Sequence, residues 1–385
     1  MKVTVREARP SDFAAAAMWP LTLTAPSTRS SDAAKLACGT SPEWNEGMTN
    51  GNTHDPGPGV AGARGEAHGA AARQPLRIGD ASVRIGTASW TDPTMTVPGV
   101  FYPPEAGNAE DRLVYYANQF PIVEVDATYY ALPARRTGEL WLERTPPEFM
   151  FDIKAHALMT GHPSEVKRLP KDLRESVPTE LLDKTRIYAR DLPSEIEDEI
   201  WARFMDGIEP LRSSGKLGAV FLQYPRWFFP SNESRDEIVK ARERMADTPF
   251  AVELRHASWF NEKNAQRTIR FLTGHEIPFV MVDAPPGTKS SVPPMTVVTS
   301  PKLAVVRFHG RRTETWEQSG IPVVERFRYL YNEAELGEWV PRINEAAQQV
   351  PEIHVLMNNC YANYGTTNAR EIANLLAAEV PRLDR

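Results

Sequence analysis

Residues 250–260 read FAVELRHASWF, an apolar run closed by an acid, a guanidinium and an imidazole: Glu253, Arg255 and His256. Burying such groups unpaired is among the costliest things a fold can do, so they must meet partners. Together they can move a proton and hold an anion. The pattern recurs in IVEVDATYY (122–130) with Glu124 and Asp126, in MFDIKAHAL (150–158) with Asp152, Lys154 and His156, and in LAVVRFHG (303–310) with Arg307 and His309. Along an extended strand, side chains two apart share a face. Glu253 with Arg255, Glu124 with Asp126, Asp152 with Lys154 and His156, and Arg307 with His309 therefore share one side, and Leu254, Val125, Ile153, Ala155 and Phe308 fall on the other. Four strands presenting charge in the same way predict a common concave site.

Each residue type suggests a role. An inward lysine has few uses beyond binding an anion or acting as acid, base or nucleophile, which singles out Lys154. His309 beside Arg307 would favour its neutral form, suited to a base. Arg255 and Arg307 can hold an anion, while Glu124 or Glu253 tunes or opposes the base. Structural readings stand beside these. Asp152 and Glu124 can be counter-ions of Lys154 and Arg255, and His309 before Gly310 can simply cap a strand. His162, in LMTGHP, is a loop residue or a lid contact. Asn358 and Asn359 can recognise a hydroxyl or carbonyl, or close the last strand. Glu124, Glu253, Asp283 and His309 could surround a divalent cation. Lys154, Arg255 and Arg307 would repel it, so no metal and no cofactor is expected.

Elements that position these residues follow from the periodicity. Eight apolar runs begin at residues 83, 122, 150, 218, 250, 278, 303 and 353, and amphipathic segments separate most of them. Between the sixth and seventh runs APPGTKSSVPPMTVVTSPK reads as loop, and Pro341 predicts a break in the helix over 333–350. Strands alternating with helices argue for a parallel sheet, and eight units are the count of an α/β (β/α)8 TIM barrel. A doubly wound open sheet is the alternative, but the glycine-rich nucleotide turn it usually carries is missing. In a barrel, active sites lie at the carboxyl ends of the strands, where these charged residues fall.

Composition narrows the class. The chain has 385 residues, 41% of them hydrophobic, and a formal charge of −6. Residues 1–80 are rich in Gly, Ala, Pro and Asn, carry equal numbers of acidic and basic side chains, and read as a disordered extension. The barrel is expected over 81–385, with a charged insertion at about 163–217. Its acidic excess disfavours a broad phosphate-backbone footprint. No apolar run is long enough to span a bilayer, and no secretory signal is visible, so a cytoplasmic protein with no membrane partner is expected. Cys38 and Cys360 are too far apart in sequence to suggest a disulfide framework or zinc ribbon.

The motifs IGTASW…FYP, YYANQFPIVEVDATYYALP, RTPPEFMFDIKAHALMTGH, AVELRHASW, VVRFHGR and MNNCYANYGTTNA, in this order, resemble the family called domain of unknown function 72, or YecE-like. The resemblance covers residues 83 to about 380. It implies a TIM barrel with a polar cavity at its carboxyl-end face and supplies no established reaction. It adds His162, His256, Trp259, Asp283, Asn358 and Asn359 as ligand-side residues around Lys154, Glu253, His309, Glu124, Arg255 and Arg307. Asp126 stands where the motif more often has Asn, and LQYPRWFFPS replaces a usual LQLPP. The expectation is an enzyme acting by acid/base chemistry on a small anionic or polyhydroxy substrate. The alternatives are a nucleic-acid-processing barrel of the abasic-site endonuclease kind, with Trp259, Tyr129, Tyr130 and Trp227 stacking on bases, or a non-catalytic ligand-binding barrel.

Overall fold

The computed structural model describes residues 72–383. Most of the expected N-terminal extension, and Cys38 with it, lies outside them. The described part begins with β1 (Leu76–Ile78), paired antiparallel to β2 (Ala81–Ala88), so regular structure starts before the expected boundary at residue 81. Seven more strands follow: β3 (Ile122–Val125), β4 (Met150–Lys154), β5 (Leu217–Gln223), β6 (Phe250–Glu253), β7 (Val280–Asp283), β8 (Leu303–Phe308) and β9 (Glu352–Met357). Strands β2–β9 run parallel in the spatial order β6-β5-β4-β3-β2-β9-β8-β7. The circle closes through a parallel bridge between Val252 and Phe279, where the Val252 N–H donates to the Pro278 carbonyl at 2.8 Å. The eight runs read from the sequence are these eight strands of a nearly closed (β/α)8 barrel.

The main outer helices are α1 (Ala109–Ala117), α2 (Arg135–Glu143), α3 (Ser194–Ser213), α4 (Asn232–Met245), α5 (Ala265–Gly274), α6 (Val340–Ala347) and α7 (Tyr364–Leu383). Their starts follow local chemistry. Asn108 accepts the Glu110 and Asp111 N–H groups ahead of α1, and Ser231 accepts the Ser234 N–H in α4. Pro341 sits in the first turn of α6, where its missing N–H costs nothing, so the expected break falls just before it. On α3, Ile200, Phe204, Ile208 and Leu211 recur at helical spacing and are buried. Each such side chain contributes on the order of 1.5–3 kcal/mol of transfer free energy. The charged stretch 163–217 contains α3 and, before it, two short helices at Lys171–Ser176 and Thr179–Leu182, held by a Ser164–Ile187 bridge. Among the described residues no helix is long and apolar enough to cross a membrane.

Register decides which side chains meet at the axis. Glu124 aligns with Asp152, Gln223 with Glu253, Arg307 with Val282 and Leu356, and Lys154 with Phe221. Aligned residues in a parallel sheet share a face. The interior is therefore layered, with Asp152 and His354 low, Glu124, Glu253 and Arg307 above them, and Lys154, Arg255, His309 and Asn358 towards the carboxyl ends.

Candidate functional site at the carboxyl ends of the strands

The middle layer is a closed ionic unit. Arg307 donates Nε and Nη2 to the two carboxylate oxygens of Glu124 at 2.9 and 2.6 Å. Its Nη1 donates to Glu253 Oε2 and lies 3.4 Å from Gln223 Oε1, and its guanidinium lies over the Phe221 ring. All three ionic side chains are at most 1% exposed. Burial drives the Glu124 carboxyl upward despite Arg307 and Lys154. Burial pushes on Glu253 in the same way, but Arg307, His309 and Arg255 outweigh it and hold that acid well below its usual range. Arg307 loses charge stability through burial and regains more from its two carboxylates. Removing one member of such a buried set typically costs about 3–5 kcal/mol.

Above this floor, Glu253 Oε1 accepts from Arg255 Nη1 at 2.6 Å and lies 3.2 Å from His309 Nε2. Asn358 Nδ2 approaches His309 Nδ1 at 2.8 Å, and Arg255 Nη1 lies 3.0 Å from Nε2. With Asn358 donating, the ring proton resides on Nε2 and points at Glu253. Reversing the Asn358 amide moves the proton to Nδ1 and lets Nε2 accept from Arg255. Both patterns keep the ring neutral. Burial lowers His309 to about 3 even with Glu253 adjacent, because Arg255 and Arg307 oppose a third positive charge. Gly310 turns the chain at φ +90°, and a Cβ there would sit 2.7 Å from Tyr329 Cβ. That turn follows His309 directly and fixes where β8 leaves the wall.

Lys154 ends β4 beside this network. Its ammonium lies 4.7 Å from the Tyr129 ring centroid and makes no hydrogen bond or ion pair among the described residues. Burial and then Arg307 lower its proton affinity, against the pull of Glu124 and Asp126. Asp126, half-buried at the end of β3, is pushed upward by burial and restrained by Lys154. His162 packs edge-on against Tyr129 and Trp227, hydrogen-bonds Thr160 at 3.0 Å, and is lowered to about 3 by burial, with Lys154 and Arg255 adding to it. It therefore flanks the charged centre.

Several sequence expectations need correction. Asp283 is one position out of phase: it aligns with Phe308, whose ring meets Trp339 and Tyr331 on the helix side. There its carboxylate accepts from Trp339 Nε1, Tyr331 Oη and Arg311, leaving no ligand role at the axis. Trp259 is fully buried, donating Nε1 to the Phe228 carbonyl at 2.6 Å, so it cannot stack on a base. Asn359 is likewise buried, with Nδ2 on Tyr329 O and Asn368 Oδ1. His256 caps the turn after β6, taking the Ser258 N–H on Nδ1 with its ring against Phe229, and stays apart from the ionic unit. Asp152 pairs with His354, not Lys154, and Glu124 pairs with Arg307, not Arg255.

His354 and Gln223 escaped the sequence reading: parity with Asn358 points His354 at the axis, whereas Gln223 is placed there by its register with Glu253. Cys360 is a rim residue whose thiol donates to the Ala88 carbonyl at 2.9 Å. Among the described residues no three His, Cys, Asp or Glu side chains are grouped to hold a metal ion. Glu124 and Glu253 are taken up by arginine, and Asp152 by His354.

These features define a (β/α)8 barrel whose carboxyl-end face carries a buried carboxylate–arginine unit under a free lysine. Residues 84–385 match the family described as Protein of unknown function DUF72, and the chain belongs to that family. It is 30% identical over 300 residues to the UPF0759 protein YunF of Bacillus subtilis, covering 77% of this chain and 95% of that protein. A DUF72 family protein from Thermotoga maritima has a TM-score of 0.59 at 30% identity, covering 77% of this chain and 99% of that one. Another, from Enterococcus faecalis, has a TM-score of 0.61 at 25% identity, covering 77% and 95%.

Proposed function

We propose that the protein is an enzyme that moves a proton on a small anionic or polyhydroxy substrate, with Lys154 as the proton-transfer group. The observation that carries this is the Lys154 amine, half-buried, without a hydrogen-bond partner among the described residues, and poised above a floor whose own charges are satisfied. Desolvation brings a lysine towards the range where its neutral form can act as a base. Glu253, held ionised by its cations, cannot give up a proton and serves to orient Arg255 and His309. Asp126, biased towards its protonated form, is the group that can return one. Arg307 is committed to Glu124 and Glu253, so substrate contacts fall to Arg255, Asn358 and the neutral His309. Burial of Trp259 removes one of the side chains on which base stacking would have depended, so the nucleic-acid reading is not favoured.

Lys154→Met tests this proposal. Turnover of metabolites from a cell extract, followed by mass spectrometry, is expected to fall about 10²–10⁴-fold, the usual contribution of a positioned base. Turnover by the wild type should rise with pH through an apparent pKa below that of free lysine, since the neutral amine is the active form. Equal binding and turnover by the variant would remove Lys154 from the chemistry.

A further inference from the structure

Four rings line one arc of the barrel mouth, and measured contacts tie them to Lys154. Tyr129 and Tyr130 follow β3, His162 follows β4 and Trp227 follows β5, three strands adjacent in the barrel. Lys154 Nζ lies 4.7 Å from the Tyr129 ring centroid. Tyr129 meets His162 at 5.3 Å and Tyr130 at 5.0 Å, and His162 meets Trp227 at 5.8 Å. All three ring contacts are edge to face, with interplanar angles of 80°, 86° and 66°. Such a contact occupies at most one face of a ring. Lys154 lies over Tyr129, and the Arg168 guanidinium lies over Tyr130 at 5.3 Å. No cation covers Trp227 among the described residues, and it is 45% exposed. The indole is the open platform of the arc.

Unmatched polar atoms surround it. His162 Nδ1 is bonded to Thr160 at 3.0 Å, and its Nε2 has no partner among the described residues. The Tyr129 hydroxyl and the Trp227 indole N–H make no hydrogen bond there either. A flat apolar face, fringed by hydrogen-bonding groups and continuous with an unpaired amine, complements a pyranose, which carries C–H bonds on its faces and hydroxyls around its edge. The slightly positive C–H groups suit the negative face of an indole. We propose that Trp227, Tyr129 and His162 form a subsite for the pyranose ring of a carbohydrate beside Lys154. Other occupants fit less well. A simple anion has no use for the indole. An extruded nucleobase is held between facing rings, and no two rings of this arc are parallel. Trp227 and Tyr130, 45% and 39% exposed, offer roughly 200 Å² of ring surface, against about 800 Å² per side of a stable protein interface. The inference rests on the reading of the mouth as an acid/base site and selects the polyhydroxy substrate over the merely anionic one.

The probes are D-glucose, D-galactose, D-mannose, D-xylose and D-glucuronate, added to the full chain in saturation-transfer NMR and calorimetric titration, with a ten-residue oligothymidylate in parallel. At least one pyranose is expected to bind, the protons of one ring face receiving most of the saturation. Trp227→Ala should weaken that sugar about tenfold and Trp227→Phe less, because phenylalanine restores an aromatic face. Tyr129→Phe, which removes only a hydroxyl, should weaken it about threefold. Phe229→Ala removes a ring that is 52% exposed but rests on His256 outside the arc, and should change nothing. Binding of none of these sugars, equal binding by folded Trp227→Ala, an equal loss in Phe229→Ala, or an oligonucleotide bound more tightly through Trp227 would overturn the proposal. Lost turnover in Lys154→Met with no sugar bound by the wild type would sink the subsite alone. Sugar binding lost in Trp227→Ala, with turnover intact in Lys154→Met, would sink the lysine chemistry alone.

Discussion

Two histidines inside one barrel, each against a carboxylate, end in opposite protonation states. Low in the barrel, His354 Nδ1 meets Asp152 Oδ2 at 2.9 Å, and its Nε2 lies 3.5 Å from Glu352, which Arg84 also holds. Burial alone would lower this ring, but Asp152 and Glu352 outweigh it and raise His354 to about 9. At the carboxyl ends, His309 lies 3.2 Å from Glu253, yet burial prevails and the ring falls to about 3. The cations make the difference. Glu253 is already shared by Arg307 and Arg255, so an imidazolium there would be a third positive charge on one carboxylate. The lower pair is a structural ion pair, while the upper ring stays neutral and keeps a nitrogen lone pair that can accept a hydrogen bond.

The largest expected effect comes from breaking the upper unit. Arg307→Met leaves Glu124 and Glu253 buried without their shared cation and should cost about 3–5 kcal/mol in urea denaturation. Lys154→Met, which removes no paired charge, should stay within about 1 kcal/mol of wild type. If both variants lost the same small amount, the contrast between a closed floor and a free amine would fail. Next is the lower pair. A Cβ on Gly218 would lie 2.4 Å from Asp152 Oδ1 and 2.7 Å from His354 Cε1, so only glycine admits the pair. Gly218→Ala should therefore destabilise by about 1–3 kcal/mol, and a variant also carrying Asp152→Ala should lose less than the sum of the two.

Much of this architecture was legible because strands advertise their faces. The alternation in IVEVD, MFDIK and VVRFH placed Glu124, Asp152, Lys154, Arg307 and His309 on the axis. Pairing across the barrel was not legible. Asp152 and His354 are 202 residues apart, and no local pattern says which of several axial cations an acid will meet. Asp283 misled because a strand end offers a charge to either face, and the indole and phenol donors of Trp339 and Tyr331 claimed it.

The two rings should also give opposite pH dependence of stability. His354, raised to about 9, contributes stability fully present below the free-histidine value near 6.5 and lost as pH climbs towards 9. The span corresponds to about 3 kcal/mol. His309, lowered to about 3, acts in reverse: the unfolded chain takes up a proton below about 6.5 that the folded ring refuses, so stability falls as pH drops. Subtracting the denaturation profile of His354→Gln from that of wild type should therefore isolate an alkaline loss, and the same subtraction with His309→Gln an acid one. His162 and His156, lowered to about 3 and about 4, keep part of the acid limb in the second variant. Two difference curves of the same sign would mean that the cations around Glu253 do not set the state of His309.

The smallest effect sharpens the comparison most. Among the described residues the Asn358 side chain hydrogen-bonds the upper ring alone, through its amide at 2.8 Å from Nδ1. Asn358→Ala deletes one hydrogen bond at a half-buried position and should cost only about 0.5–1.5 kcal/mol. What it changes is the tautomer: without the amide, Nδ1 has no partner among the groups described around it, and Nε2 must choose between donating to Glu253 and accepting from Arg255. Nitrogen-15 chemical shifts of the ring in wild type and Asn358→Ala should therefore differ at His309 and coincide at His354, whose nitrogens are fixed by Asp152 and Glu352. Shifts at His309 that ignored the amide would show that the carboxylate and guanidinium alone determine where its proton sits.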